Sequence, residues 1–372
     1  MTVKIAPGID IQPLTQVVPG QLHHAHCSGI VAFPDGKLLA VFYWAIKEAQ
    51  HEQKIYATRK RPGDAAWSAP EAILADRIGM VGNPSIWIAP DTSRLWLFFV
   101  RSVGGWSVCQ PRFVHSDDQG KTWSKPRNLY WFISRGIKNP PIVTKTGRYV
   151  LPAYVEFRDY FGVFYLSDDQ GKTWRERARV AVPDDEIPNV PLARRWGRLV
   201  EQPTVVERKD GSLWALFRTE PQMGVMYQSE SKDGGETWTP AKPYMLPNPG
   251  GGFHMMRLQS GNIAIIYNHA PVKAANHGFE RNPLSVAISE DDGKSWKWRR
   301  NIIESREGKE EARIGQYPTM TQGPDGRIHA TWSYGHHVMV NGQDTSVTDI
   351  YYTSFTEAWI KEKVFFESPW EP

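Results

Sequence analysis

Apolar residues in this chain fall in short runs of roughly four to eight positions, separated by Gly, Pro, Asn and Asp. Such runs are typical of strands, and the chain lacks the long 3.6-residue periodicity of amphipathic helices. In six places a polar residue, often followed by Pro, opens a run that passes through a turn into a second run. Each unit predicts an inner strand, a tight turn and a second strand. The units span residues 26–44, 83–100, 139–155, 201–218, 253–268 and 316–334.

One octapeptide, SDDQGKTW, occurs twice, at Ser116–Trp123 and at Ser167–Trp174. Looser copies occupy Ser231–Trp238 and Ser289–Trp296, so the shared pattern is Ser-x-Asp-x-Gly-x-Thr/Ser-Trp. Each copy follows a strand-like run. The Asp-x-Gly pair favours a turn because Asp accepts hydrogen bonds from nearby backbone N–H groups and Gly tolerates a positive φ. We interpret every copy as a self-locking hairpin turn whose Trp packs back onto its own unit.

Metal binding is the alternative for two motifs. Asp-x-Asp-x-Gly is a calcium-loop pattern, but that loop needs a Glu at its twelfth position, where the first copy has Arg127. The HHAH stretch holds His24 and His26 on one strand face, and a second strand would have to complete a site, for example with His254. Since a lone histidine pair is more often a hydrogen-bonding pair, the sequence predicts neither a metal nor another cofactor.

Repeats of roughly 50 to 65 residues with several short strands each are typical of propellers. The sequence therefore predicts an all-β fold, a six-bladed β-propeller with the octapeptide turns between the third and fourth strands of the blades. We expect a single domain over residues 1–372, whose N-terminal segment at residues 9–18 supplies the strand that closes the ring. A Pro-rich, charged insert around Asp184 to Arg198 could form a loop over the site.

Composition narrows the classes of partner. The 372 residues include 44 basic and 40 acidic side chains, interspersed along the chain, and the net charge of +4 predicts no nucleic-acid partner. The N-terminus lacks a long apolar stretch, so we expect no membrane span and no signal peptide. The expected location is cytoplasmic, or secreted if a leader has been removed. Cys27 and Cys109 are too few for a disulfide framework.

The residues that begin the inner strands of a propeller converge on one mouth of its channel, where a ligand would bind. The Asn-Pro pairs among them could equally serve only to shape turns. The converging residues are His24, His26, Asn83, Lys138, Asn139, Glu201, Gln202, His254, Gln316 and Tyr317.

The chain resembles the sialidase superfamily, in particular the bacterial sialidase-like branch with BNR repeats. The octapeptide resembles the Asp-box, and further similar motifs are IKNPPI, EQPTVV, LFRT, RNPLSVAISEDDGKSW and QYPTM, over about residues 24–334. The resemblance implies that Tyr317 is a nucleophile, that Glu201 is its base, and that Arg218 and Arg281 clamp a substrate carboxylate. The chemistry is consistent, because a phenol of pKa about 10 needs a carboxylate to take its proton, and Arg binds carboxylates through paired hydrogen bonds.

Two stretches depart from the family. The first inner strand, QLHHAHCSGIVAF, carries His24 and His26 where the family has its first Arg. The following loop, AIKEAQHEQK, lacks the acid/base Asp but offers Glu48. Glu48 or a histidine is then the expected proton donor to the leaving oxygen.

Three functions are compatible with these residues. The first is an exo-glycosidase, a sialidase-like hydrolase, that acts on a carboxylated sugar such as a sialic acid, another ulosonic acid or a uronic acid. The second is a polysaccharide lyase in which the arginines neutralise a uronate and Tyr or His moves the proton. The third is a non-catalytic carbohydrate-binding propeller. Each predicts an acidic sugar or oligosaccharide as the partner, bound also by Asn83, Lys138, Asn139, Gln202, His254 and Gln316.

Overall fold

The computed structural model describes residues 3–15, 23–157, 159–187, 200–270, 281–305, 313–340 and 343–362. Nearly all regular structure in these ranges is β-strand. The exceptions are 3₁₀ turns at Trp106–Val108, Asp184–Glu186 and Pro221–Met223, and helix α1 (Glu357–Lys361). No helix within them is long and apolar enough to cross a membrane.

Four sheets are antiparallel meanders of four or five strands, the arrangement of propeller blades. The first contains β7 (Met80–Ile88), β8 (Leu95–Ser102), β9 (Gln110–Ser116) and β10 (Arg127–Asn128). The second contains β11 (Arg135–Gly136), β12 (Ile142–Val143), β13 (Tyr149–Phe157), β14 (Asp159–Ser167) and β15 (Arg175–Val180). The third contains β16 (Val200–Glu207), β17 (Leu213–Thr219), β18 (Val225–Ser231) and β19 (Lys242–Pro247). The fourth contains β20 (His254–Arg257), β21 (Ile263–Asn268), β22 (Leu284–Ser289), β23 (Trp298–Ser305) and β1 (Val3–Ile5).

The fifth sheet runs through both ends of the chain. It has eight strands. Seven form one path in the order β24 (Gln316–Gln322), β25 (Ile328–Val340), β26 (Gln343–Phe355), β3 (His24–Ala32), β4 (Leu38–Ala45), β5 (Lys54–Lys60) and β6 (Glu71–Leu74), and the eighth, β2 (Ile11–Pro13), pairs with β26 off this path. A single parallel pair, Thr348 with His24, joins β26 to β3. The fold is an all-β propeller; its predicted division into six blades stays a prediction, because continuous hydrogen bonding defines five sheets.

Asp349 closes the ring by binding segments from opposite ends of the chain. Its Oδ1 lies 2.9 Å from His23 Nε2 and accepts the Thr15 hydroxyl, and its Oδ2 lies 2.7 Å from His336 Nε2. Beside it, β2 pairs with β26, so the N-terminal segment supplies a closing strand, as the sequence predicts. Burial would raise the pKa of Asp349, but the hydrogen bonds from both histidines and Thr15 lower it to about 2.

Each octapeptide starts at the last residue of a third strand and locks its own turn. In the first copy, the Ser116 hydroxyl donates to Asp118 (2.7 Å) and accepts from the Gly120 N–H (2.8 Å). Asp118 also accepts from the Thr122 N–H (2.9 Å) and hydroxyl (2.6 Å). The other three copies repeat these contacts. These turns therefore use the Asp oxygens within the protein and need no metal to hold their shape.

The octapeptide Trp residues pack against the preceding sheet as well as their own. Trp238 stacks on Phe164 of the preceding sheet with ring centroids 3.9 Å apart. Trp174 likewise meets Phe98 at 5.7 Å, and Trp296 donates to the Tyr244 hydroxyl at 2.6 Å. The prediction that each Trp packs back onto its own unit is therefore part of the arrangement and not all of it. Trp174 also meets Tyr149 of its own sheet at 6.2 Å, and Trp238 donates to the Gly235 carbonyl at 3.1 Å. These large rings bury apolar surface against the preceding sheet as well.

We predict that Asp349→Asn destabilises the protein by about 1–3 kcal/mol, because it leaves buried donors from His23, His336 and Thr15 without a full acceptor. Since the folded pKa of Asp349 lies below its unfolded value, its stabilising effect is complete above about pH 4 and is lost as the pH falls towards 2. The difference in denaturation midpoint between wild type and variant should therefore shrink over that window. Urea titrations at several pH values measure it.

The matched control is Asp344→Asn, which removes an exposed partner of His337 on the same hairpin, 3.1 Å away. Exposed ion pairs contribute little, so this variant should keep the wild-type midpoint. Equal losses in the two variants would contradict the closing role of Asp349.

Candidate functional site

Four irregularities in the inner strands shape one mouth of the channel. Cys27, Asn83, Gln202 and Tyr317 have positive φ values of 51°, 47°, 48° and 47°, and each lies inside a register shift of its strand pair. Pro follows three of them and has no N–H for the strand ladder. A left-handed conformation costs a non-Gly residue about 1–3 kcal/mol and is concentrated at functional sites. The bulges turn these side chains towards a common cleft.

The cleft encloses about 200 Å³ and has a mainly polar lining. It brings together Tyr317, Glu201 and Arg218 from three different inner or second strands. Its full lining is His26, Cys27, Glu48, Asn83, Trp106, Tyr154, Glu156, Tyr160, Glu201, Gln202, Arg218, Glu220 and Tyr317.

Arg218 links the two residues that the sequence assigns to nucleophile and base. Its Nη1 donates to the Tyr317 hydroxyl oxygen at 2.8 Å and to Gln202 Oε1 at 3.1 Å. Its Nε lies 3.3 Å from Glu201 Oε1, across the β16–β17 pairing that sets these residues opposite each other. Burial works against the charge of Arg218, but Glu201 and Tyr317 outweigh it and raise the pKa. The guanidinium therefore stays charged while it contacts both oxygens.

Burial raises the pKa of both acidic side chains that contact Arg218. It raises the pKa of Glu201, with Arg218 opposing the shift, and it raises the pKa of Tyr317 against Arg218 and Arg281. Tyr317 is thus a neutral phenol in the free protein and needs a base to react as a nucleophile. Gly252 makes room for its ring, since a Cβ there would lie 2.9 Å from Tyr317 Cδ1.

Two further cations surround the Tyr317 ring. Arg281 lies with its Cζ 5.0 Å from the ring centroid and is held by hydrogen bonds to Gln316 Oε1 (2.7 Å) and the Gly250 carbonyl (3.4 Å). The buried Lys138 has its Nζ 5.9 Å from the same centroid, and burial lowers its pKa to about 8. Neither forms an ion pair with a carboxylate among the described residues, so an anionic ligand would meet uncompensated positive charge.

The two predicted histidines stand beside this group as neutral side chains. The His26 ring meets Tyr317 edge-on at 4.6 Å, and its Nδ1 is buried without a hydrogen-bond partner in the described structure. His24 Nε2 lies 3.8 Å from Glu48 Oε2, and Glu48 accepts the Tyr43 hydroxyl proton at 2.8 Å. Burial lowers the pKa of both histidines. The imidazoles can accept a proton at neutral pH, but they are not held in the charged form.

Two predicted binding residues serve the fold and do not line the cleft. His254 accepts the Met320 N–H through Nδ1 (3.3 Å) and faces an apolar cavity formed further along the inner strands, so assigning it to the mouth was wrong. Asn139 donates to the carbonyls of Gln202 (3.3 Å) and Pro203 (3.0 Å) and thereby holds the neighbouring bulge. The described residues hold no group of three metal-ligating side chains around the histidines.

The remaining predicted residues lie in or beside the cleft. Asn83 lines it and donates to the Tyr154 hydroxyl at 3.4 Å, while Gln202 and Gln316 orient Arg218 and Arg281. Cys27 also lines it, but burial raises the pKa of its thiol to about 12, so it is not a thiolate nucleophile. Most of the charged insert predicted to cover the site, residues 188–199, lies outside the described residues.

The sequence interpretation missed a second, acidic wall of the cleft. Glu156 and Tyr154 project from β13, and Tyr160 and Glu220 join them. Burial and then the charge of Glu201 raise the pKa of Glu156 to about 8. Tyr154, Glu156 and Tyr160 lie within later strands of their blade and Glu220 follows β17, so convergence of inner-strand starts could not indicate them. The available signal was the alternation of Tyr154 and Glu156, which places both on one strand face.

Comparison with known proteins agrees with this architecture. The sequence profile of the BNR repeat-like domain family matches residues 36–330. No curated protein matches the chain.

Several solved structures are similar in fold. A protein of unknown function from Dyadobacter fermentans has a TM-score of 0.68 at 16% identity, over 94% of this chain and 99% of its own. The intramolecular trans-sialidase from Ruminococcus gnavus, in complex with oseltamivir carboxylate, has a TM-score of 0.67 at 15% identity, over 92% of this chain and 96% of its own. The leech intramolecular trans-sialidase, complexed with 2,7-anhydro-Neu5Ac, has a TM-score of 0.68 at 13% identity, over 93% of this chain and 70% of its own.

At these identities the structural likeness shows the fold alone, whereas the family profile covers most of the sequence. The chain belongs to the BNR repeat-like domain family and has a sialidase-like propeller fold.

Proposed function

We propose that this protein is an exo-glycosidase that hydrolyses a glycoside of a carboxylated sugar. The observation that carries the proposal is the Arg218 contact with both Tyr317 (2.8 Å) and Glu201 (3.3 Å) at the end of the channel. A buried phenol, a buried carboxylate and a guanidinium form the parts of a Tyr/Glu nucleophile pair. Structural neighbours named as sialidases support the same class of reaction.

In the proposed reaction, the Tyr317 hydroxyl oxygen attacks the anomeric carbon while Glu201 accepts its proton. The bond from the anomeric carbon to the leaving oxygen breaks, and an acid on the enzyme protonates that oxygen. Water then displaces Tyr317 and gives a proton back to that acid, while Tyr317 recovers its own proton from Glu201. A neutral phenol suits an anionic sugar because it approaches the reacting carbon without charge repulsion.

The carboxylate of the substrate is proposed to bind on the cationic side of Tyr317. Arg281 offers a guanidinium without an acidic partner in the described part of the chain, and Lys138 adds a buried ammonium. Arg pairs with carboxylates through two parallel hydrogen bonds. The first inner strand has His24 and His26 and no Arg, which favours an acidic sugar in general over sialic acid alone.

A lyase acting on uronic acids is the second candidate. The specific observation is the edge-on contact of His26 with Tyr317 at 4.6 Å, with its Nδ1 unpartnered and its pKa lowered. A neutral imidazole or Tyr317 would remove the proton next to the carboxylate while Arg281 and Arg218 stabilise the resulting negative charge. The two reactions differ in product, because elimination creates a double bond and hydrolysis adds water.

We further infer that the ring has six blades. The path of the eight-stranded sheet contains two antiparallel runs, β24–β26 and β3–β6, that one parallel pair joins. Counting these runs separately supports the six-unit pattern of the sequence.

We predict that the protein releases a saturated acidic sugar from at least one of a set of sialosides, other ulosonic-acid glycosides and uronic-acid oligosaccharides. Glu201→Gln should lower kcat/KM by about 10²- to 10⁴-fold, as loss of a general base does, and Tyr317→Phe by at least as much. Released reducing sugar and ultraviolet absorbance are followed together.

Tyr334→Phe is the matched control, since it removes a hydroxyl from the same sheet outside the cleft. Ultraviolet-absorbing product would favour the lyase. Saturable binding of a glycan with neither product would favour the non-catalytic alternative.

We also predict that Arg281→Lys weakens binding of the released sugar acid by roughly tenfold or more. A lysine ammonium cannot replace a bidentate guanidinium, and hydrogen bonds to charged groups are worth about 1.5–3 kcal/mol. Calorimetric titration with the acid and with its methyl ester measures the effect. Only the acid should lose affinity, and an equal loss for the ester would place the carboxylate elsewhere.

A further inference from the structure

Glu156 differs from Glu201 and Glu48, two other carboxylates of the cleft, in its lack of a partner among the described residues. Glu201 is held by Arg218, and the half-exposed Glu48 accepts the Tyr43 hydroxyl. The Glu156 carboxyl makes no hydrogen bond or ion pair with the described residues, yet it lines the cleft and is mostly buried. A buried carboxyl without a cation is favoured in its neutral, proton-bearing form.

The fold holds Glu156 firmly against the cleft. It lies near the end of β13, opposite Tyr160 of β14, and its N–H donates to the Ser134 carbonyl at 3.4 Å. Tyr154 lies two residues earlier on the same face and lines the same cleft. β13 packs against β16, which carries Glu201. Glu156 therefore faces the same space as Tyr317 and Glu201 from a hydrogen-bonded strand.

The charges decide where the proton resides. Burial and then Glu201 raise the pKa of Glu156 to about 8, while Arg218 opposes this rise. Arg218 contacts Glu201 directly, so the anionic charge of the pair is better stabilised on Glu201. At neutral pH the cleft thus holds one ionised carboxylate beside Tyr317 and one protonated carboxyl that can donate. Separated roles of this kind are typical of acid and base pairs.

We propose that Glu156 is the general acid that protonates the leaving oxygen, which rests on the glycosidase function proposed above. As the bond between the anomeric carbon and the leaving oxygen breaks, the Glu156 proton moves to that oxygen. The resulting Glu156 carboxylate then takes a proton from the attacking water, and the bond to Tyr317 breaks. Each turnover returns Glu156 to its protonated form and consumes one water molecule.

This assignment replaces Glu48 and the histidines of the sequence-based expectation. Glu48 is occupied as an acceptor by Tyr43 and is 44% exposed, whereas His24 and His26 have lowered pKa values. Neither histidine is therefore held in a proton-bearing form by its surroundings.

The decisive experiment compares two leaving groups on the same acidic sugar, tested for N-acetylneuraminic acid and glucuronic acid. The methyl glycoside has a poor leaving group, which must be protonated by an acid as it departs. The 4-nitrophenyl glycoside has a good leaving group, which departs without such help. Glu156→Gln should lower kcat/KM on the methyl glycoside by about 10²- to 10⁴-fold but on the 4-nitrophenyl glycoside by less than about tenfold. With the activated substrate, added azide should restore turnover of the variant by replacing the water that Glu156 activates.

Comparison variants separate the possible failures. Glu290→Gln removes an exposed carboxylate paired with Lys361 and should behave as wild type. If Glu48→Gln and not Glu156→Gln shows the leaving-group difference, Glu48 is the acid and the assignment is overturned. Equal losses of Glu156→Gln on both substrates would also overturn it. A wild type inactive on these glycosides and on the whole set of acidic glycosides named above would overturn the proposed function together with the assignment.

The proton on Glu156 can be measured without any substrate. In protein labelled with ¹³C at the glutamate carboxyl carbons, one resonance should titrate near pH 8 and be missing from Glu156→Gln. Because the acid must be protonated to act, kcat/KM of the wild type on the methyl glycoside should fall as the pH rises through about 8. A Glu156 resonance that titrates in the ordinary range of glutamates, near pH 4, would overturn the assignment.

Discussion

The contact of one guanidinium with two oxygens is the interaction on which the whole site depends. Arg218 binds Tyr317 at 2.8 Å and Glu201 at 3.3 Å. Tyr317 lies 99 positions after Arg218 in the chain. A carboxylate as buried as Glu201 would be costly without a cation, and a phenol at the mouth would have no fixed orientation. The third sheet supplies Arg218 and Glu201 from paired strands, whereas β24 brings Tyr317 across the channel.

Two groups of charged side chains lie around this contact. The Arg281 and Lys138 cations lie 5.0 and 5.9 Å from the centre of the Tyr317 ring, and Glu156 and Glu220 line the cleft together with Glu201. Such a division matches a substrate that carries a carboxylate next to the carbon at which a bond breaks. In the proposed reaction, the cations bind the acid group of the substrate and the carboxyl groups transfer protons. The strained bulges at Gln202 and Tyr317 turn these side chains into the cleft between the two charged groups.

Much of the arrangement follows from the sequence because a repeated unit dictates where its strands begin. Residues at those starts, such as Glu201 and Tyr317, had to converge once the propeller was inferred. The position of each side chain along the channel could not be predicted from the sequence, because it depends on local bulges. His254 faces the apolar cavity, and Asn139 holds a neighbouring strand. Glu156 could not be predicted as a site residue, because the second strands do not begin with a polar residue that recurs from unit to unit. The octapeptide turns were visible as turns, but the partner of each Trp depends on contacts between blades.

The central claim is that Tyr317 is the nucleophile of a glycosidase. The most direct measurement uses a fluorinated, activated glycoside of the acidic sugar that the protein hydrolyses, a reagent that slows breakdown of the glycosyl-enzyme. Intact-mass and peptide mass spectrometry then locate the attached sugar. The account predicts one sugar per chain, bonded to Tyr317 and absent from Tyr317→Phe. A sugar attached to Glu201 or Glu156, or complete turnover of the reagent without any adduct in either protein, would contradict it.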